Sequence, residues 1–546
     1  MNLLRPFPIV AFLLFGLLSL NSCNQSEKKA TKITKDSLKR RSIKDWNKTI
    51  PGNFNSEQEL FFDTLQIESF IAAHPLLKEY AASIQKFYNN RHFAFAWYNK
   101  NGLIEQAGNL TDRVKNLKDE GINKDIPYRA ALDSMIYAKP SKKPDIKLEL
   151  MLTAQYFVFA KLAWEGMDAS ISKSSEWFLP RKKIAYDAYL DSMIKSPAKF
   201  AGTTVAPVYR QYDLLKNFLI KYRELDQKDP WKPIVADKKS YKPGDSSEVI
   251  AQIKTRLFKL EDFKGDTTDT HYNDEFLLAV KQFQERSGMT SDGAIGPGTL
   301  TELNTPLKKR IRQLLVNMER SRWLPVQIDS NYLGVNIPEF KLHVYHADSL
   351  LWSGNVVVGQ SIHKTVIFSG DMKYVVFSPY WNVPTSIVRN EVLPNMRRNK
   401  NYIKNHQMEI TGYSGGLPVV RQKPGPKNSL GLVKFLFPNS YDIYLHDTPS
   451  KSLFGESSRA FSHGCIRVED PAKLAAFLLK NSKGWDAAKI KTAMNSGKEQ
   501  YVTLKNKVPV YIAYFTAFID RNNRLNFRKD IYSRDEPLAS MLLKEE

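Results

Sequence analysis

Two side chains in the second half of the chain could together perform nucleophilic chemistry. His446 closes the strand-like run Ile443–His446, and Cys465 follows a loop of fifteen residues, at the end of the segment Ser462-His463-Gly464-Cys465. A thiol attacks a carbonyl carbon as its thiolate, and a neighbouring imidazole can accept the proton. Because two short elements of a sheet can meet across such a loop, the spacing predicts Cys465 as a nucleophile and His446 as its general base.

The turn before Cys465 is predicted to assist this chemistry. Gly464 permits a tight backbone turn, and the amides of the turn could donate to an oxyanion. The segment Pro471–Lys480 is predicted to form a helix. A helix N-terminus beside Cys465 would lower the pKa of its thiol. The sequence therefore predicts an activated thiol.

Other interpretations of the same residues stay open from the sequence. A lone cysteine can be an inert core residue, and a lone histidine can be structural. His446, His463 and Cys465 are ligand types for zinc, but three candidates make a poor site, so we predict no metal. Asp447 directly follows His446 and should point to the opposite side of a strand. We therefore expect a backbone carbonyl, rather than an Asp-supported triad, to orient His446.

The elements around this pair are predicted to be β-strands. Runs rich in β-branched and aromatic residues are separated by turn residues: Tyr332–Ile337, Lys341–Tyr345, Leu351–Val358 and Tyr374–Phe377. Gly and Pro punctuate the sequence up to about Ser462. The pattern predicts a mainly β domain that begins near Ser330 and positions both candidate catalytic residues.

The first half of the chain is predicted to be helical. Apolar residues recur at helical spacing in Ser56–Tyr88, Asn109–Glu120, Tyr128–Tyr137 and Asp145–Glu165. Around Val249 and Phe276 the same spacing predicts two helices of a small three-helix bundle with a glycine-dependent turn, and Leu307–Trp323 is predicted to be a connecting helix. The fold class is multidomain α+β. The predicted parts are a signal peptide (1–22), a tether (23–50), a helical scaffold (51–240), the bundle (241–305), the connecting helix (306–328), the β domain (329–515) and a C-terminal segment (516–546).

Length and charge restrict the class of protein. The chain has 546 residues, too many for one ordinary core, and a formal net charge of +23. Such a charge suits a polyanion: nucleic acid, lipid headgroups or a wall polymer. Two cysteines exclude a disulfide scaffold and a multi-cysteine metal site.

The N-terminus predicts export. Arg5 precedes the apolar run Phe7–Leu20, which is too short to span a bilayer but suits a signal peptide. The run ends in Leu20-Asn21-Ser22-Cys23, which resembles a lipobox, although Asn21 is unusual at its position. The resemblance implies that Cys23 is lipidated and becomes the mature N-terminus, whereas a plain secretory signal is the alternative. Export argues against nucleic acid as the partner and predicts a periplasmic protein anchored to a membrane, the outer one being favoured.

Several motifs resemble one enzyme family. The spacing of His446 and Ser462-His463-Gly464-Cys465 resembles the signature of L,D-transpeptidases, and four further segments resemble the large Gram-negative members: Ser378–Pro384, Arg421–Pro426, Lys434–Asn439 and Tyr444–Pro449. The bundle, especially its segment Ala279–Leu300, resembles a peptidoglycan-binding domain. The resemblance implies the order scaffold, peptidoglycan-binding unit, connecting helix and catalytic domain.

The resemblance also implies roles for residues. Cys465 would be the nucleophile and His446 the base and later the acid, while His463 and Gly464 would shape the turn and oxyanion region. Arg467 would contact a substrate carboxylate, although many members have asparagine there. Tyr380 and Trp381 would line the cleft. An insertion over residues 385–426 would cap the cleft and carry three arginines that could meet wall-peptide carboxylates: Arg389, Arg397 and Arg398.

The implied activity is 3→3 cross-linking of peptidoglycan. In the family, the thiolate attacks a tetrapeptide stem, D-alanine leaves and the amine of a neighbouring stem resolves the thioester, without a cofactor. Two alternatives are a carboxypeptidase or hydrolase with the same thiol chemistry and a non-catalytic lipoprotein that tethers membrane to wall. The expected partners are stem peptides, glycan and, through Cys23, a membrane.

Overall fold

The computed structural model describes residues 60–137, 143–196, 206–326, 331–347 and 349–543. These residues lie in one compact unit that begins at Glu59. The predictions of a signal peptide, a lipidated Cys23 and a tether fall outside the described residues. Helices occupy the first half of the described chain and strands dominate the second, as the sequence predicts.

The scaffold region is helical apart from one short hairpin, β1 (Tyr98–Asn99) and β2 (Gly102–Leu103). Its helices are α1 (Leu65–Ala73), α2 (Ala81–Asn90), α3 (Glu105–Lys115), α4 (Arg129–Ile136), α5 (Ile146–Phe159), α6 (Ala169–Ser174), α7 (Tyr186–Lys195) and α8 (Gln211–Lys228). The predicted single helix Ser56–Tyr88 is divided: α1 ends at Ala73, and Pro75 begins a 3₁₀ turn before α2. Proline removes a backbone donor and therefore interrupts the helix.

Helix α5 lies at the centre of the scaffold. The Asp145 side chain accepts hydrogen bonds from the Lys147 and Leu148 amides and caps its N-terminus. Almost every side chain from Leu148 to Phe159 is buried. A helix that is apolar on all sides must be surrounded by other elements, and α5 accordingly organises the scaffold core.

The predicted three-helix bundle is present, with α9 (Glu248–Lys259), α10 (Asp274–Arg286) and α11 (Pro297–Leu303). Ser247 and Asn273 cap the first two helices through their side-chain oxygens. The bundle has its own hydrophobic cluster, which contains Ile253, Phe276 and Phe283.

Helix α12 (Leu307–Trp323) has the bounds that the sequence predicts, but it is much more buried than a simple connector. Every residue from Leu314 to Trp323 is buried. The C-terminal segment forms a hairpin, β15 (Ala517–Ile519) and β16 (Leu525–Phe527), and ends in α18 (Asp535–Leu543). Residues of this hairpin belong to the same hydrophobic cluster as the scaffold. The C-terminal segment, which directly follows the β domain, therefore packs against the scaffold and helps to join the two.

The β domain contains a nine-stranded mixed sheet. Its strands are β3 (Asn331–Asn336), β4 (Lys341–His346), β5 (Ser349–Gly359), β6 (Ser369–Phe377), β10 (Val433–Leu436), β11 (Leu445–His446), β12 (Ala460–Ser462), β13 (Ile466–Val468) and β14 (Gln500–Ala513). The order is β12-β5-β13-β11-β10-β6-β14-β3-β4, and β4 also pairs with β5, which closes the sheet on itself. Two helices, α16 (Pro471–Leu479) and α17 (Ala487–Met494), cover part of it.

The predicted capping insertion forms a small layer with a hydrophobic cluster of its own, around Val388, Val392 and Val420. It contains a three-stranded sheet, β7 (Trp381–Asn382), β9 (Leu417–Gln422) and β8 (Met408–Ser414), and three short helices, α13 (Thr385–Ile387), α14 (Leu393–Arg398) and α15 (Tyr402–Asn405). Among the described residues, no helix is both long and apolar enough to cross a bilayer.

Candidate active site

Two adjacent parallel strands bring His446 and Cys465 to one face of the sheet. β11 pairs with β13 in parallel, with Leu445 opposite Ile466 and His446 opposite Arg467. Cys465 lies two residues before Arg467, so its side chain shares the face of Arg467 and His446. Leu445 and Ile466 point the other way, into the core. The two residues predicted to act together therefore lie on the same face of neighbouring strands.

The His446 ring is oriented by the backbone. Its Nδ1 donates to the Asp447 carbonyl oxygen at 2.5 Å. Because a carbonyl only accepts, Nδ1 carries the proton and Nε2 is left as an acceptor. The Asp447 carboxylate turns away and accepts hydrogen bonds from the Leu432 amide and Lys451 Nζ, at 2.8 and 2.7 Å. The geometry matches the expectation of a carbonyl-oriented histidine without an aspartate triad.

The Cys465 thiol is held by the loop before β11. Its Sγ donates to the Asp442 carbonyl oxygen at 3.5 Å, and Tyr444 also forms hydrogen bonds with it. Asp442 has a left-handed backbone, with φ of 53°. The Asn439 side chain fixes this loop by accepting from the Tyr441 amide at 2.9 Å. In this resting arrangement the thiol contacts the loop.

The expected lowering of the thiol pKa is wrong for this structure. Burial raises the pKa of Cys465 to about 11, although hydrogen bonds from Tyr444 oppose the shift. The expected helix N-terminus is also not adjacent, because strand β13 separates Cys465 from α16, which begins at Pro471. The thiol is therefore protonated at neutral pH.

The His446 imidazole is neutral at the same pH. Burial lowers the pKa of His446 to about 3, and the positive charges of Arg467 and Lys434 act in the same direction. A neutral imidazole with a free Nε2 can accept a proton. The pair is thus a thiol and a neutral imidazole, and the predicted base, His446, is in the protonation state that can accept a proton.

The turn before the nucleophile is fixed by hydrogen bonds. The Ser462 hydroxyl donates to the Cys465 carbonyl at 2.5 Å and accepts from the Gly464 amide at 3.1 Å. Gly464 has a φ of 116°, in the region that favours glycine. Because Ser462 occupies the Gly464 amide, that amide is not free for an oxyanion, which narrows the predicted role of Gly464 to shaping the turn.

A second layer supports this turn from behind. Thr365 Oγ1 donates to the Gly464 carbonyl at 2.8 Å, and the Tyr532 hydroxyl donates to the Gly359 carbonyl at 2.6 Å. A Cβ on Gly359 would lie 2.0 Å from the His363 carbonyl oxygen. The loop that supports the turn therefore requires glycine at position 359.

His463 faces the cap. Its Nε2 lies 3.1 Å from Glu391 Oε1, in the capping insertion, and its ring centroid lies 5.0 Å from that of His363. The ring is partly exposed. These contacts connect the nucleophile turn to the cap, so the structure gives His463 a positioning contact.

Arg467 is the predicted substrate-binding residue nearest the catalytic pair. Its side chain is half-buried, and burial lowers its pKa. Among the described residues, its buried Nε has no hydrogen-bond partner. A guanidinium with an unused donor can accept a carboxylate ligand.

The aromatic pair predicted to line the cleft has structural contacts. Trp381 packs against the hydrophobic cluster of the cap. The Tyr380 amide donates to Glu499 at 2.9 Å, and the Arg421 guanidinium lies 4.1 Å from the Tyr380 ring centroid. Contact of either residue with substrate stays a prediction. The cap arginines Arg389, Arg397 and Arg398 are exposed.

Sequence reasoning did not single out several residues that the site uses. Tyr444 lies two positions before His446 on the same strand face, and this spacing could have indicated it. Asp442 acts through its carbonyl, and Thr365 and Tyr532 are remote in sequence, so no local signal marks them. Within the described part of the chain, no three His, Cys, Asp or Glu side chains are grouped to hold a metal ion.

Three family descriptions match separate parts of the chain. "L,D-transpeptidase catalytic domain" matches residues 330–510, "Scaffold domain" matches 82–219 and "Putative peptidoglycan binding domain" matches 246–303. A curated protein of Haemophilus influenzae named "Putative L,D-transpeptidase" is 34% identical over 243 residues. The alignment covers 42% of this chain and 49% of that protein, so the chain spans about half the length of the relative it matches.

Solved L,D-transpeptidase structures are more distant. One from Xylanimonas cellulosilytica is 14% identical and covers 51% of this chain and 100% of its own, with a TM-score of 0.18. One from Stackebrandtia nassauensis is 16% identical and covers 51% and 97%, with a TM-score of 0.22. Scores this low carry no argument about function. The scaffold, peptidoglycan-binding and L,D-transpeptidase catalytic domains thus match this chain in the order that the sequence predicts.

Proposed function

We propose that this protein forms 3→3 cross-links in peptidoglycan, with Cys465 as the nucleophile and His446 as the general base and acid. The observation that supports the proposal is the register of β11 and β13, which assigns a buried imidazole with an unprotonated Nε2 and a thiol to the same face of neighbouring strands. Acyl transfer through a thioester requires a thiol nucleophile and a neighbouring base, and Cys465 and His446 could supply them.

The first half-reaction forms the thioester. The thiol turns from the Asp442 carbonyl toward His446, and Nε2 takes its proton as Sγ attacks the carbonyl of the third stem residue. The C–S bond forms, the C–N bond to the terminal D-alanine breaks, and His446 returns the proton to the departing amine. Since the resting pair is neutral, proton transfer accompanies attack, and no preformed ion pair is needed.

The second half-reaction resolves the thioester. The side-chain amine of a neighbouring stem attacks the carbonyl and gives its proton to His446, and the departing sulfur is protonated. Water in place of the amine gives a free carboxylate, which is the carboxypeptidase outcome. The chemistry at Cys465 is the same in both cases, so the acceptor decides the activity.

Substrate binding is assigned to the charged and capping residues around the pair. Arg467 has an unpartnered buried Nε on the same face as Cys465, and a stem carboxylate would satisfy it. The cap is linked to the nucleophile turn through Glu391 and His463. Opening this contact would give a stem peptide access to Sγ.

Location follows from the other parts of the chain. The bundle at 246–303 matches a peptidoglycan-binding description, and we assign it to holding the enzyme on the wall. We further propose that Cys23 is lipidated and anchors the protein, on the periplasmic side, to the outer membrane. The net charge of +23 is suited to an anionic wall and lipid surface.

The test uses soluble protein that begins after the predicted tether and a disaccharide-tetrapeptide, with products read by mass spectrometry. Transfer predicts a dimer lighter than two monomers by one free alanine, and Cys465→Ala should abolish it. Tripeptide alone would assign a carboxypeptidase. Unchanged substrate with wild-type protein that still binds sacculi would favour a non-catalytic tether.

A further inference from the structure

A short segment of the scaffold region reaches the catalytic domain near the nucleophile. Trp177 forms a parallel bridge with Ile367, and the Phe178 amide donates to the Ile367 carbonyl at 2.9 Å. Arg534, in the C-terminal segment, donates to the Ser175 carbonyl at 2.7 Å. Hydrogen bonds to the backbone of the segment 175–178 therefore hold it in place without help from the Phe178 ring.

The Phe178 ring stacks on an aromatic residue of the catalytic domain. Its centroid lies 5.7 Å from that of Tyr441, with 27° between the planes, and Phe368 also packs against Tyr441. Phe178 is 43% exposed and Tyr441 is 38% exposed. Two large rings from different domains thus form a stacked aromatic pair that is partly exposed, which we call the Phe178–Tyr441 platform.

The platform lies beside Cys465. Tyr441 precedes Asp442, whose carbonyl oxygen is 3.5 Å from Sγ, and Asn439 holds the Tyr441 amide in this loop. Tyr441 is the residue next to Asp442, and its ring lies one side-chain length from the backbone. The ring is therefore on the order of 10 Å from the Cys465 thiol. An extended peptide covers about 7 Å in two residues.

We propose that the Phe178–Tyr441 platform binds the apolar face of a sugar ring in the glycan that carries the donor stem. The proposal rests on the function given above, in which Sγ attacks the third residue of a stem. Two residues and a short ether link then separate the reacting carbonyl from the sugar, which matches the distance from Sγ to the platform. Pyranose rings present C–H groups on one face, and flat aromatic rings bind such faces while leaving the hydroxyls in water.

The experiment compares two donors with the same peptide: disaccharide-tetrapeptide and sugar-free tetrapeptide, each with a constant acceptor amine. Wild type should use the disaccharide form with the higher kcat/KM. Phe178→Ala should lower the ratio of the two kcat/KM values about threefold to tenfold, mainly through KM of the disaccharide form. Phe178→Tyr, which keeps a stacking ring, should restore most of the ratio.

Phe61→Ala is the matched control, because Phe61 is an exposed scaffold phenylalanine (58%) whose backbone bridges with Ala94, within the scaffold. Its ratio should equal that of wild type. An equal loss on both donors in Phe178→Ala would overturn the sugar assignment and leave a structural role. A wild-type ratio near one would overturn it as well, while absence of turnover with either donor in wild type would instead refute the proposed function.

Discussion

Helix α12 and the candidate catalytic face both bury charged side chains, with opposite consequences. In helix α12, Arg322 donates to Glu319, to the Ala163 carbonyl through Nε and to the Glu120 carbonyl. Glu319 also accepts from the Trp323 indole at 2.8 Å. Arg322 and Glu319 thus both have hydrogen-bond partners in their surroundings, and these contacts join the scaffold to the helix.

The catalytic face buries charge and polar groups without completing their hydrogen bonds. Arg467 has an unpartnered Nε, His446 presents a free acceptor, and Cys465 has only a carbonyl at 3.5 Å and contacts with Tyr444. Burial shifts the pKa of His446 down and that of Cys465 up. A buried donor or acceptor without a hydrogen-bond partner lowers the stability of the fold. Such groups are tolerated where a substrate can supply the missing partner.

The comparison of the α12 cluster with the catalytic face indicates how charge buried for structure differs from charge buried for catalysis. His446 is nearly as buried as Arg322 and Glu319, whereas Arg467 and Cys465 are only partly buried, so burial does not explain the difference in hydrogen bonding. The deciding property is whether protein atoms satisfy the buried groups, because a satisfied group is fixed and an unsatisfied one can bind or transfer a proton. Variants in each region should therefore affect different quantities.

The largest expected effect is on activity. His446→Gln should lower kcat/KM for transfer by about 10²- to 10⁴-fold, because the base is lost. The measurement is the rate of dimer formation from disaccharide-tetrapeptide. His271→Gln, at an exposed histidine of the bundle, should retain wild-type rates. Full activity in His446→Gln would show that His446 is not the base, and would contradict the distinction between the catalytic face and the α12 cluster.

Next comes a loss of stability from the α12 cluster. Arg322→Met should lower the free energy of unfolding by about 3–5 kcal/mol, because Glu319 would keep a buried charge without its partner. Urea titration followed by circular dichroism measures this. Arg312 lies on the same helix as Arg322 and forms an exposed ion pair with Glu536 of α18. Arg312→Met should therefore lower the free energy of unfolding by less than about 1 kcal/mol. Equal costs for the two variants would contradict the idea that satisfied burial is structural.

A smaller effect concerns the reactivity of the free thiol. Since the pKa of Cys465 is raised to about 11, its alkylation by iodoacetamide should be roughly 100-fold slower at pH 7 than that of an ordinary cysteine with a pKa near 9. The rate should keep rising with pH toward about 11. Alkylation kinetics between pH 6 and 11, read by mass spectrometry, would show it. A plateau below pH 8 would instead indicate a preformed thiolate–imidazolium pair.

The smallest effect is a pH dependence of stability. At pH 8 His446 is neutral in both the folded and the unfolded protein. Below about pH 6.5 His446 of the unfolded chain binds a proton, whereas in the folded protein, where its pKa is about 3, it stays neutral. Stability is therefore lost as pH falls. From pH 8 to pH 5, His446 should cost about 2 kcal/mol, and His446→Gln should lose correspondingly less. Parallel urea midpoints for both proteins across this range would contradict the lowered pKa.

The amino-acid sequence alone predicted most of the local elements and singled out His446 and Cys465 as the candidate catalytic pair. Helix α12 has its predicted bounds, and four predicted strands recur as β3, β4, β5 and β6. The side of the strand taken by Asp447 also followed from sequence. These features depend on hydrophobic period and on alternation along a strand, which are properties of neighbouring residues.

Only the tertiary structure decided the electrostatics of the site and the contacts between distant segments. The pKa of Cys465 rises instead of falling because other elements pack around the thiol and partly desolvate it, and no local pattern encodes that packing. Tyr532 supports the nucleophile loop, and Phe178 reaches Tyr441, across long stretches of sequence. Such pairings depend on how whole domains pack, since chain distance says nothing about which surfaces meet.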